Sequence, residues 1–172
     1  EDVSAYLRTG LAGLTPEETD TLENYVLLWS LRGGAWTRPE PWRQHPDGYG
    51  APDTDEAAAR LAEINDLRQR AADPLRLLGA ESHAAATAEA QAMALADFLE
   101  RLHLAQRLDT LAEDLRREGR GALAAEYAQL WELTVGALEQ FAAILGDTQM
   151  DADTFATLFL RMLSCYDIGT IP

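Results

Sequence analysis

The residue types best placed to do chemistry lie together between Arg32 and Tyr49: Arg32, Trp36, Arg38, Trp42, Arg43, His45 and Tyr49. Guanidinium groups hold phosphates, and aromatic faces stack on bases or cations. Arginines interleaved with aromatics therefore fit a contact with nucleic acid. A second reading uses the same residues differently. Trp36 and Trp42 would pin the loop to the protein, with the arginines solvated or paired to Glu40 and Asp47. Without His45 the stretch is close to neutral, which favours the second reading, because non-specific affinity for nucleic acid comes from charge. The candidate residues for contact with DNA or a protein partner are Arg32, Trp36, Arg38, Trp42 and Arg43.

Other constellations fail on residue type or spacing. A phosphate-binding P-loop needs a lysine after its glycines. Gly10 and Gly13 have none after them, and the chain contains no lysine; all 14 basic residues are arginine. A lysine Schiff base is excluded for the same reason. His45, His83 and His103 lack metal-ligand spacing. Asp147, Asp151 and Asp153 look like the start of a calcium loop. Counted from Asp147, however, Ala152 and Leu158 stand where glycine and glutamate are required; helix capping accounts for these aspartates better. Glu17, Glu18 and Asp20 sit at a helix start, where the dipole favours them. Cys165 is expected to be a buried structural thiol in the last helix near Phe159 and Met162. No catalytic, metal or cofactor residue is assigned.

Composition narrows the class further. The 172 residues are 47% hydrophobic and carry a formal charge of −15, enough for one domain with a real core. That charge argues against a domain that wraps nucleic acid by charge alone, but leaves room for a local basic patch. No apolar run reaches the ~18 residues of a membrane span. One cysteine rules out an internal disulfide. The chain has no initiator Met and ends on Ile171–Pro172, so it reads as a single helical domain, residues 1–172, cut from a larger protein.

On both sides of the candidate loop the pattern is helical. Thr15-Pro16-Glu17-Glu18 spells a capping box with proline at the first helical position. Leu22, Tyr25, Val26 and Trp29 then form one apolar face, and Gly33–Gly34 should end that helix. Residues 33–53 hold four prolines and four glycines, too many for a helix or a regular strand. Asp53 or Thr54 should cap a long helix with Leu61, Ile64, Leu67 and Ala71 inward, kinked or restarted at Pro74. A turn is expected near Ser82 to Thr87. The next helix runs from Ala88 to about Leu102, and Leu104, Leu108, Leu111 and Leu115 mark another, ended at Gly119. The longest runs from about Gly121 to Leu145. Asp151 or Asp153 caps the last, with Phe155, Leu158, Phe159 and Met162 inward, and Ile168 to Pro172 reads as extended. The expected fold is all-α, an irregular bundle of about seven helices with one long Pro/Gly-rich loop.

With these elements placed, the opening stretch resembles a known family. Tyr6-Leu7-Arg8-Thr9-Gly10-Leu11, Leu14-Thr15, Leu22-Glu23-Asn24-Tyr25-Val26, and Arg32-Gly33 with Trp36-Thr37 are similar to the AddB-type (RexB) subunit of bacterial ATP-dependent helicase/deoxyribonucleases. The ending Ile168-Gly169-Thr170-Ile171-Pro172 resembles the family's return into its next segment. The resemblance implies a parent that pairs with an AddA-type helicase-nuclease subunit, processes DNA double-strand breaks in the cytoplasm and takes part in recognising the Chi sequence. It places this chain in the helical 2B-like insertion of a helicase-like region. It also implies a nuclease domain with Mg and often a 4Fe-4S cluster, both outside this stretch, since Cys165 alone cannot hold a cluster.

The function expected from all of this is a noncatalytic accessory domain that contacts duplex DNA or neighbouring domains. A purely structural scaffold for subunit contact, or an unrelated helical regulatory domain, are the alternatives.

Overall fold

A computed structural model of the chain describes residues 2–165. Among them are seven α-helices, one short 3-10 turn and an isolated bridge between Thr87 and Gln149, so the fold is all-α as expected. The extension expected at Ile168–Pro172 lies outside the described residues. The chain divides into two compact units, residues 1–76 and 77–172.

The first unit holds α1 (Asp2–Arg8), α2 (Pro16–Leu28), the 3-10 turn Gly33–Ala35 and most of α3 (Asp55–Ala84). The start of α2 follows from its sequence. Thr15 Oγ1 accepts from the Glu18 amide at 3.2 Å, and Glu18 Oε2 accepts from the Thr15 amide at 2.8 Å. This reciprocal pair occupies two of the donors that every helix start leaves unpaired. Glu18 also binds Arg70 Nη1 at 2.8 Å, while Arg70 Nη2 donates to the Gly13 carbonyl at 3.0 Å.

The end of α2 comes earlier than the glycine pair implied. The Leu31 amide donates to the Val26 carbonyl at 3.0 Å and the Ser30 amide to Leu27 at 3.2 Å. Ser30 stands in the left-handed region with φ +50°. This is a Schellman closure with serine at the position glycine usually fills. Trp29 Nε1 donates to the His45 carbonyl at 3.0 Å, and Leu31 packs on the core, so tertiary contacts hold the turn. Gly33–Gly34 instead opens the 3-10 turn.

Helix α3 starts as expected, with Thr54 Oγ1 accepting from the Ala57 amide at 3.1 Å. It runs on through Pro74 instead of restarting there and ends at Ala84, its part from Leu77 belonging to the second unit. The core of the first unit gathers Leu7, Leu14, Leu22, Tyr25, Val26, Trp36, Trp42, Ile64, Leu67 and Ala71.

The second unit contains α4 (Ala88–Arg101), α5 (Leu104–Arg117), α6 (Gly121–Leu145) and α7 (Ala152–Leu163). Ala88 and Ala137 are fully buried, and such small residues let helix backbones approach where α4 and α6 pack. Phe141 meets Phe155 and Phe159 edge-on at 5.1 and 5.9 Å, and the latter two stack at 5.5 Å. Asp151 is the cap of α7, accepting from the Thr154 amide at 2.8 Å.

Three side chains differ from expectation. Leu111 and Leu158 are exposed; on α5 Ala112 turns inward beside the expected Leu115, and on α7 Phe155 and Phe159 are buried as expected. Cys165 is exposed, just past the end of α7, with Sγ 3.4 Å from the Arg161 carbonyl. The helix stops at Leu163, before it could carry the thiol inward.

Candidate interface on the arginine–tryptophan loop

The loop between α2 and α3 is built around one arginine that the apolar pattern concealed. Arg68 lies on α3 among Ile64, Leu67, Ala71 and Ala72 and is 4% exposed. Its Nε donates to the Trp36 carbonyl at 3.0 Å and its Nη1 to the Glu40 carbonyl at 2.8 Å, while Nη2 donates to the Arg38 carbonyl. The guanidinium also lies over the Trp42 ring, 5.1 Å from its centroid. A rigid planar fork can satisfy three carbonyls of a winding backbone; a lysine ammonium, a flexible point charge, cannot copy that geometry. Burial pushes the Arg68 pKa down, and the nearby Arg38 cation adds to the shift.

Asn65, one turn before Arg68, grips the next part of the loop. Its Oδ1 accepts from the Trp42 amide at 2.7 Å, and its Nδ2 donates to the Trp42 carbonyl at 3.0 Å. Trp42 in turn donates from Nε1 to the Ala35 carbonyl at 2.9 Å. Its ring stacks on Tyr25 at 5.4 Å and meets Trp36 edge-on at 5.3 Å. Tyr25 Oη donates to the Gln44 carbonyl at 2.8 Å, and burial raises its pKa. Farther along, His45 Nδ1 accepts from the Asp47 amide at 3.1 Å, and its Nε2 lies 3.2 Å from the Pro52 carbonyl. This pattern suits the tautomer with its proton on Nε2.

The five candidate residues therefore separate into two groups. Trp36 and Trp42 are buried at 5% and 1% exposure, so their faces pack against protein. Arg32, Arg38 and Arg43 are exposed. Among the described residues none of the three is in an ion pair; Asp47 pairs with Arg60, and Glu40 serves through its carbonyl. Tyr49 is fully exposed. Chemically, the arrangement holds three solvated cations on a backbone fixed from beneath. Arg68 and Asn65 are the positioning residues that sequence reasoning missed. One signal was available: Arg68 falls four residues after Ile64 and next to Leu67, on the inward side of the helical period.

No protein-family profile matches the chain. Over 174 residues it is 34% identical to a protein from Clostridium botulinum strain Hall named as the B subunit of an ATP-dependent helicase/deoxyribonuclease. It is 31% identical over 173 residues to a protein of the same name from Acetivibrio thermocellus, and 27% identical over 176 residues to one from Clostridium tetani. Each alignment takes in 100% of this chain, and the chain spans 15% of the length of these relatives.

Proposed function

The chain is homologous throughout its length to a segment of the B subunit of ATP-dependent helicase/deoxyribonucleases, and from that premise we propose that it is a noncatalytic helical domain of such a protein, serving DNA break processing and recombinational repair. The whole-chain similarity carries the reading. In this role the domain works by shape and contact, presenting Arg32, Arg38 and Arg43 to duplex DNA from a loop whose backbone is already fixed. A fixed loop loses little conformational freedom on binding, which favours affinity. The companion in the cytoplasmic complex is an AddA-type helicase-nuclease subunit. Any Mg site or 4Fe-4S cluster lies elsewhere in the parent protein. A four-cysteine cluster does not fit this chain, which offers Cys165 alone.

The test is substitution of Arg38 and Arg43 by Ala in the parent complex. Duplex binding should weaken, and its salt dependence should fall by about 0.9 in log–log slope for each phosphate no longer neutralised. Equal affinity across a salt series would remove the DNA-contact reading.

A second reading, a scaffold for contact with a neighbouring domain or subunit, draws on a different surface. Leu27, Leu28 and Tyr49 are 74%, 51% and 100% exposed in the same unit. Leu28 lies beside Gly48, the neighbour of Tyr49, and exposed apolar side chains favour a protein contact over a nucleic-acid one. Replacing Leu27 and Leu28 by Ser should then weaken assembly of the parent complex while leaving DNA affinity unchanged.

A further inference from the structure

Residues 36–39 of the loop and the stretch of α3 from Arg68 to Arg76 enclose an open cleft of about 560 Å³. Arg38, Arg68 and Arg76 line it, together with Thr37, Gln69 and Asp73. Three arginines and one aspartate thus stand in its lining, in a chain whose formal charge is −15. Arg68 is the buried part of the lining, its donors directed at the Trp36, Arg38 and Glu40 carbonyls. Arg38 is exposed. Arg76 reaches Asp73 at 3.4 Å with its Nε, across an exposed contact. A pair so exposed is weak and leaves the other face of the guanidinium available.

We propose that this cleft seats the phosphodiester backbone of a nucleic-acid strand, with Arg38 and Arg76 as the charged clamps and the Thr37 hydroxyl and Gln69 amide as neutral donors. The inference rests on the DNA-contact reading above and adds to it a place, a residue from α3 and a mode. The mode follows from burial. Trp36 lines the cleft but is packed into the core, so no free aromatic face is offered to a base. Contact is made to phosphate and is therefore independent of base sequence. Asp73 acts against it, as the sole carboxylate among the described residues that line the cleft.

The experiment is arginine-selective modification of the full-length protein that carries this chain, read by mass spectrometry. The probes are a short DNA duplex, the matching single strand, and a free mononucleotide at equal phosphate concentration. Arg38 and Arg76 should be protected by duplex or strand and not by the mononucleotide. Each of R38A and R76A should shrink the drop in affinity between ~50 and ~200 mM salt by about threefold, the share of one neutralised phosphate. D73N should tighten binding, a change of sign that a merely structural role would not produce. Protection of Arg32 and Arg43 with Arg76 fully reactive would overturn the cleft and leave the loop reading standing. Protection by the mononucleotide alone would overturn the strand assignment in favour of a free-nucleotide site. No protection of any loop arginine would overturn both.

Discussion

Each of the two units is stabilised internally by different physics. In residues 1–76 a long loop without repeating structure is fixed by polar side chains reaching backbone carbonyls: Arg68 to three of them, Asn65 to the Trp42 peptide on both sides, and Trp29, Trp42 and Tyr25 to one each. In residues 77–172 helices pack by apolar seams, with Phe141, Phe155 and Phe159 at the centre. A buried polar network fails abruptly, because losing one member strands its partners without water. An apolar seam fails gradually, because its neighbours partly close the gap. A loop that must hold an irregular shape therefore needs the first kind of construction, whereas helices that need only stay packed can use the second.

Replacing Arg68 should disturb the first unit most. Arg68→Met keeps much of the volume over Trp42 but leaves three carbonyls without donors, at about 1 kcal/mol or more each. A loss of at least about 3 kcal/mol is expected in urea unfolding. Tryptophan emission should shift as well, since Trp29, Trp36 and Trp42 all belong to this unit and only Trp131 to the other. Arg68→Lys should behave nearly as badly. A cost below about 1 kcal/mol would show that the loop holds its shape without the guanidinium fork. The counterpart in the second unit is Phe141→Ala, expected to cost about 3 kcal/mol. Here helical circular dichroism should report the loss while the three loop-side tryptophans keep their native emission. If both variants moved the two signals together, the units would not differ in the way described.

A smaller effect comes from backbone strain, present once in each unit. Ser30 and His103 stand at φ +50° and +51°, the only non-glycine residues with positive φ among those described. Glycine tolerates that region and most side chains do not. Ser30→Gly should raise stability by up to about 1 kcal/mol, read as a higher melting temperature. His103→Gly should do the same if strain is the shared cause. A fall in melting temperature at either site would mean that its side chain contributes more than the strain costs.

The smallest effect is in acid. The Arg70 side chain and then the Thr15 amide lower the pKa of Glu18, and the Thr154 amide lowers that of Asp151. For a carboxylate with a depressed folded pKa, the stabilisation is complete above the unfolded value, about 4, and is lost as pH falls through the folded one. Glu18→Gln should therefore lower the melting temperature at neutral pH and leave it little changed well below pH ~4. A difference that persists at low pH would assign the loss to packing rather than charge.

Much of the fold was legible from local chemistry. The Thr15–Glu18 box and the Thr54 and Asp151 caps follow from short-range rules, because a helix start is decided by side chains within three residues of it, and the span of α6 follows from its apolar period. The end of α2 was not legible. A Schellman turn normally calls for glycine, and Ser30 is held there by contacts of Trp29 and Leu31 with distant residues. The position of Cys165 was missed for a related reason, since the apolar period continued past the point where the backbone turned. At the candidate site the residue types were readable, but not their division of labour. Arginine and tryptophan in one loop fit either a binding face or a packed plug, and here the tryptophans are the plug while the arginines face solvent.

Helical class, helix starts, the irregular loop and kinship with a named subunit are all readable from residue order, since each depends on local pattern or aligned residues. Tertiary structure alone decided that Arg68 is buried, that Trp36 and Trp42 point inward, and that Arg38 and Arg76 share a cleft. Those outcomes depend on which carbonyls come within reach of a guanidinium some thirty positions away in the chain. No local rule of residue type or spacing encodes a meeting of that kind, because it exists only once α3 has packed beneath the loop.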